Sequence, residues 1–304
     1  MADVLNNTTN AEFIPTIIAQ MALGRFASYM NLAKTVSRNF DWSPATVGAT
    51  LSIPVRGSVS ANSKVAGSEF TLQNPTATNV DVTLDTHKEV TFLLDDVTSV
   101  LENQDTLAGY AEDAAIALAE SVEEAIASLH SSLTHTVTFD ATSDATKNTA
   151  MLNIRKFFVD QKVPKLEKKY LYADATMINE LLEVDRFARA DALGKAGVIE
   201  SGALMNIYGM DIFESQSIQV SGSPVAYHNI AYTKNAFVLA TRPLPSVPAG
   251  HGAISTVVVD PDTNVGLRVV SSWDTALGGL KITLDLLFGV AVLDNRRVVE
   301  VESF

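Results

Sequence analysis

Residues 50–85 read TLSIPVRGSVSANSKVAGSEFTLQNPTATNVDVTLD, and residues 105–133 read DTLAGYAEDAAIALAESVEEAIASLHSSL. Apolar side chains stand at every second position on the way out, at Leu51, Ile53 and Val55, and on the way back, at Val80, Val82 and Leu84. That period of two predicts a pair of strands. Between them, Arg56 to Thr78 is rich in Ser, Gly, Ala and Asn and has little apolar content for a core of its own. The ends of such a hairpin can pair while its tip cannot bury enough surface to order itself. The sequence therefore predicts an arm that projects from the body and lies on a partner.

The second stretch predicts one long helix. Asp105 suits the N-cap, and Leu107, Ala111, Ala114, Leu118, Val122, Ala125, Leu129 and Leu133 form a seam of three- and four-residue steps. Glu112, Asp113, Glu120, Glu123 and Glu124 fall mostly off that seam. At 1.5 Å per residue the helix is roughly 40 Å long, enough to span most of a domain of this size.

Around this centre the chain has 304 residues, 47% hydrophobic and 19% charged, which supports a real core in one large or two moderate domains. It has no cysteine, which excludes disulfides, thiolate metal sites and cysteine nucleophiles. Met1 to Asn10 does not read as a signal peptide, and the longest apolar stretch, Leu286 to Leu293, is too short to span a bilayer. A formal net charge of -13 argues against a protein that grips nucleic acid, because phosphate binding needs clustered cations. The local exception is Arg155, Lys156, Lys162, Lys165, Lys168 and Lys169, read as a solvated face or a contact with an acidic neighbour.

Residues 11–38 read as a short amphipathic arm, with Pro15 in the first helical turn and a stripe of Ile14, Ile17, Ile18, Met21 and Ala22. After the long helix, Thr138 to Lys147 marks a polar boundary. Mixed elements follow: a helix over Met151–Gln161, a strand over Lys169–Ala173, a helix over Thr176–Leu182, and strands around Asn206–Phe213 and Ala236–Thr241. Pro243, Pro245, Pro248, Gly250 and Gly252 crowd a turn. From Ala253 to Val301 the alternation predicts long antiparallel strands. The class is α+β.

No motif for chemistry emerges. His87, His130, His135, His228 and His251 are scattered, and His130 and His135, five apart, would face different sides of a helix. Asp260, Asp262 and Asn264 imitate a calcium loop, but Val265 stands where Gly is needed and Ser271 where Glu is needed. These residues predict a turn between strands. Glu123 and Glu124 are helix neighbours that point apart, so they form no acid/base dyad. No catalytic, cofactor-binding or metal-binding residues are expected. A hydrolase or binding domain with an unrecognised site is the reading from another class.

Further strings are Val163-Pro164 before Tyr170-Leu171-Tyr172-Ala173-Asp174, Leu181-Leu182-Glu183-Val184-Asp185-Arg186-Phe187, Ile207-Tyr208-Gly209-Met210-Asp211-Ile212-Phe213-Glu214-Ser215, Ala236-Phe237-Val238-Leu239-Ala240-Thr241 and Phe288-Gly289-Val290-Ala291-Val292-Leu293-Asp294. In their order over nearly the whole chain they resemble the major capsid proteins of tailed bacteriophages, of the Hong Kong 97 type fold, and most of all the podovirus-like branch. The resemblance implies an N-terminal arm over 1–40, an extended β-loop over 41–94, a P-domain with a spine helix over 95–137, an A-domain over 138–252 and returning P-domain strands over 253–304. It implies a coat protein that assembles with itself into pentamers and hexamers of an icosahedral head around double-stranded DNA that it does not bind tightly, with no catalysis, no cofactor and no membrane. It also implies a separate scaffolding protein, a portal, and residence in the virion after synthesis in the bacterial host cytoplasm. Candidate subunit contacts are Arg56, Lys64, Glu69 and Phe70 on the extended loop and Ile17 and Ile18 on the arm. Some relatives join subunits covalently through a lysine of the extended loop. Lys64 lacks a matching local motif. The same fold serves encapsulins, cargo-holding shells, which is the alternative reading.

Overall fold

The computed structural model describes residues 7–38, 50–57, 59–74, 76–95, 104–184, 206–248, 252–260 and 265–304. Two helices and a five-stranded sheet enclose the main core. Helix α1 (Asn7–Tyr29) leads through a short turn into α2 (Leu32–Thr35), and α3 (Gln104–Ala127) runs on as a 3-10 turn over Ser128–Ser132. On α1, the residues turned inward are Ile18, Ala19, Ala22, Phe26 and, just past its end, Met30. On α3 they are Ala111, Ala114, Ala115, Leu118, Ala119, Val122 and Ile126. The many alanines let the two helix backbones approach closely, since interaxial distance follows side-chain size at the contact.

Three readings of these helices need correction. Pro15 lies in the interior of α1, because the helix starts at Asn7 rather than near Pro15. Met21 is exposed, and the buried stripe passes through Ala19 and Phe26 instead. On α3, the inward face is wider than the predicted seam and includes Glu123.

The five-stranded sheet comprises β3 (Thr86–Asp95), β10 (Phe237–Arg242), β11 (Ala253–Val259), β12 (Gly266–Asp274) and β13 (Gly279–Val292). Its long centre is β13, which pairs antiparallel with β3, β10 and β12. Residues 261–264, where the turn between β11 and β12 is expected, lie outside the described residues.

A second sheet has the order β4 (Thr136–Phe139), β14 (Val298–Ser303), β9 (Ala226–Thr233), β5 (Lys169–Ala173), β7 (Met210–Glu214) and β6 (Asn206–Ile207), with β8 (Gln219–Ser221) paired to β9. Both of its faces are covered. Tyr172, Ile230 and Tyr232 point into the main core, while their neighbours Leu171, Ala173 and Ala231 meet α4 (Asp144–Asp160) and α5 (Ala175–Glu183). Burial on both faces leaves β9 buried along nearly its whole length, including the polar side chains of His228, Asn229 and Thr233, rather than alternating between a wet and a dry face. Both flanking helices are capped: Ser143 forms a reciprocal box with Thr146, and Asp174 accepts from the backbone N–H groups of Thr176 and Met177.

The sheets cut across the expected division at Gly252. Strand β10 precedes it yet pairs with β13, and β14, the last strand, pairs with β9 and, in parallel, with β4. The expectation of purely antiparallel strands at the end of the chain is corrected accordingly.

Candidate functional site

Strands β1 (Thr50–Arg56) and β2 (Ala77–Thr83) form a separate antiparallel pair, with Thr50 opposite Thr83 and Arg56 opposite Ala77. The root of this arm is anchored by its alternating face. Ile53, Val82 and Leu84 are buried against Val238 and Ala240 of β10, with Ala291 and Leu293 alongside. Gly289 on β13 makes that seat possible, because a Cβ there would stand 2.0 Å from the Thr83 carbonyl oxygen. A side chain cannot be accommodated so close to backbone.

The ladder ends where the Gly57 N–H donates to Thr76 at 2.9 Å. Beyond it, the bonds among the described residues of the tip are local to the arm. The Ser60 N–H donates to Gln73 Oε1 at 3.1 Å, and the Ser68 N–H donates to the Val65 carbonyl at 3.2 Å beside Gly67, whose φ is 87°. The Lys64 ammonium sits 4.3 Å from the centroid of the Phe70 ring. Apolar side chains along the tip face outward: Val59 is 68% exposed, Val65 72%, Phe70 84% and Leu72 96%.

The structure thus brings four of the six expected contact residues, Arg56, Lys64, Glu69 and Phe70, together on one exposed arm. Leu72 and Val65, lone apolar residues in a polar loop, are exposed on the same arm. Ile18 is a correction: it is buried in the chain's own core between α1 and its packing partners, so it offers no surface to a neighbour. The side chain of Ile17 lies outside the described residues. The cations Arg155, Lys156, Lys162, Lys165 and Lys168 are all exposed, on α4 and the loop after it, while Lys169 is partly buried at the start of β5.

A polar hub ties α1 and α2 to this framework. The Glu123 carboxylate, inside the main core, accepts from the Leu32 N–H at 3.0 Å, the Ala33 N–H at 2.9 Å and the Tyr172 hydroxyl at 2.9 Å. It caps the start of α2 from a helix far away in sequence. Burial pushes its pKa above the ordinary carboxylate value, and the hydrogen bonds from Ala33, Leu32 and Tyr172 pull it down less strongly. A second buried group, Asp285 on β13, is held by Arg268 on the neighbouring β12, at 2.9 Å from Nε, and by His87 of β3 at 3.2 Å. Both carboxylates meet structural partners, and Glu123 also lines an open cleft with Glu120, Tyr172, Glu214 and Ser215.

No protein-family profile and no curated protein matches the chain. Solved structures do. A structure of Mycobacterium phage Che8 superposes with a TM-score of 0.60 at 19% identity, covering 91% of this chain and 90% of that one. The capsid of cyanophage P-SCSP1u gives 0.61 at 12% identity, over 88% and 86% of the two chains. A virus-like particle from Pyrococcus furiosus gives 0.54 at 9% identity, over 95% and 99%. At these identities the shared property is the fold, and it extends over nearly the full length of each chain.

Proposed function

We propose that this chain, whose fold is the Hong Kong 97 type of the phage capsids it matches, is a major capsid protein. Many copies form pentamers and hexamers that close an icosahedral head around double-stranded DNA. The observation that carries this reading is the arm: a strand pair anchored at its root and exposing Val59, Val65, Phe70 and Leu72 at its tip. Soluble monomers rarely present such an apolar set on a projection, and a second subunit is the surface that would cover it. A contact between an arm and a different patch of the next copy is heterologous, and heterologous contacts that close by rotation build rings.

The further parts follow from the same reading. A separate scaffolding protein and a portal take part in assembly, and the finished subunit resides in the virion after synthesis in the host cytoplasm. The acidic balance of -13 suits a container that encloses DNA without gripping it. The role is structural, without catalysis or cofactor. In domain terms, the spine helix and the five-stranded sheet serve as the P-domain and the seven-stranded sheet with α4 and α5 as the A-domain. A cargo-holding compartment remains the second reading, favoured by the likeness to the virus-like particle, whose TM-score of 0.54 is lower than those of the two phage structures.

The test is negative-stain microscopy of the purified full chain beside a variant with residues 59–74 replaced by a short turn. The parent should form closed shells, and the shortened chain should stay soluble with unchanged circular dichroism yet form few or none, because the tip holds no core residue. A parent that stays monomeric in all conditions, or a shortened chain that assembles as well as the parent, overturns the reading. DNA rather than protein inside particles recovered from cells separates a virus head from a cargo shell.

A further inference from the structure

We propose that His130, His228 and Glu300 form a binding site for a divalent transition-metal ion of the zinc kind. The inference is independent of the shell-forming role. His130 lies on the 3-10 turn that ends the spine helix, His228 on β9 and Glu300 on β14. In the antiparallel register Glu300 is opposite Ile230 and His228 opposite Glu302, so the two are diagonal neighbours on one face of the sheet.

Their ligand atoms all lie within 4.8 Å of one another. Nδ1 of His228 is 2.7 Å and Nδ1 of His130 is 3.1 Å from the same carboxylate oxygen, Oε1 of Glu300. Ligands held about 2.0–2.2 Å from a tetrahedral zinc stand roughly 3.3 Å apart; the two nitrogen–oxygen separations, 2.7 and 3.1 Å, are shorter than that, so an ion entering the site would spread the three groups by up to about half an ångström. The imidazoles are stacked, with centroids 4.1 Å apart and planes at 18°, so one ring must rotate out of the stack for both Nδ1 lone pairs, which lie in the ring planes, to meet on one ion. His130, on the 3-10 turn and only partly buried, is the ring that would make that rotation.

The outer partners fit the same purpose. Ser221 Oγ lies 2.6 Å from Nε2 of His228, so with the ring proton on Nε2 the Nδ1 lone pair is left facing the site. Thr136 Oγ1 donates to the other oxygen of Glu300 at 3.3 Å. Metal-bound imidazoles and carboxylates are oriented by such contacts. His228 and Glu300 are buried while His130 is only partly so, leaving one side through which water can complete the coordination. Two imidazoles and one carboxylate select zinc, nickel or cobalt over magnesium or calcium. A bound ion would tie the end of the spine helix to the seven-stranded sheet.

The full chain, stripped with EDTA and desalted, should bind one zinc ion by calorimetry, melt several degrees higher with zinc, and give a tetrahedral visible spectrum with cobalt. Ser221→Ala should weaken binding about tenfold. Glu300→Gln and His228→Ala should abolish it. If burial prevents those two from folding, His130→Ala, on the partly exposed turn, carries the same expectation. The proposal is overturned if the folded parent binds no stoichiometric zinc, or if binding is unchanged in His130→Ala. A melting temperature that responds to pH but not to zinc also overturns it.

Discussion

A Cβ on Gly289 would meet the Thr83 carbonyl carbon at 2.9 Å as well as its oxygen, and the obstruction is backbone that cannot rotate away. Gly289→Ala should therefore lift the arm root from β13, costing about 1–3 kcal/mol in urea denaturation, as overpacking does. Gly109, on the exposed side of α3, meets nothing within 4 Å. Gly109→Ala should be neutral or stabilise by up to about 1 kcal/mol. Glu123 presents a different residue-scale case, since burial raises its pKa above the ordinary carboxylate value despite its donors. A group with a raised folded pKa contributes stability that is complete below its unfolded pKa and is lost as pH rises through its folded pKa. Glu123→Gln removes that titration and sets an amide NH₂ against a backbone N–H, because the Leu32 and Ala33 N–H groups use both carboxylate oxygens. The variant should be less stable by about 1–3 kcal/mol. Its deficit should be largest in acid and shrink as pH rises above the ordinary carboxylate range, which denaturation curves across a pH series would show. A deficit that grows with pH would contradict the assignment.

Among the elements, the spine helix carries the clearest division between faces. Leu118 is buried between α1 and the five-stranded sheet, whereas Glu120 faces solvent. Leu118→Asp places an unpaired carboxylate in the core, at a cost of several kcal/mol, and should abolish soluble expression. Glu120→Ala should stay within about 0.5 kcal/mol of the parent. Equal behaviour of the two would show that the face is misplaced. The seam from Ala111 to Val122 was legible because a period near 3.6 marks any helix with one wet side. Glu123 was not, since its partners Leu32, Ala33 and Tyr172 come from distant segments and no local pattern marks a carboxylate that caps another helix.

For the molecule as a whole, the tip chemistry predicts how copies are held together. Lys64 rests over the Phe70 ring and is exposed at the end of the arm. Association through this tip should be non-covalent. Shells boiled in detergent should run as a single band near 32.6 kDa. A ladder of higher bands that vanishes in Lys64→Ala would instead make Lys64 a covalent site.

Periodicity and composition by themselves determined the paired strands of the arm, its apolar-poor tip, the long helix and the strand over Lys169–Ala173, which the structure places at the same residues. Each is a local property: alternation, helical spacing or turn chemistry acts over a few neighbouring residues. Tertiary structure alone decided that β10 joins β13 while β14 crosses to β9 and β4, because strand partners are chosen by which faces can be buried together across the chain. It also turned Ile18 inward, seated the arm root on the bare backbone of Gly289, and gathered His130, His228 and Glu300 from three separate elements. Contacts between residues so far apart in sequence leave no periodic trace, since they form only once the helices and sheets have closed on one another.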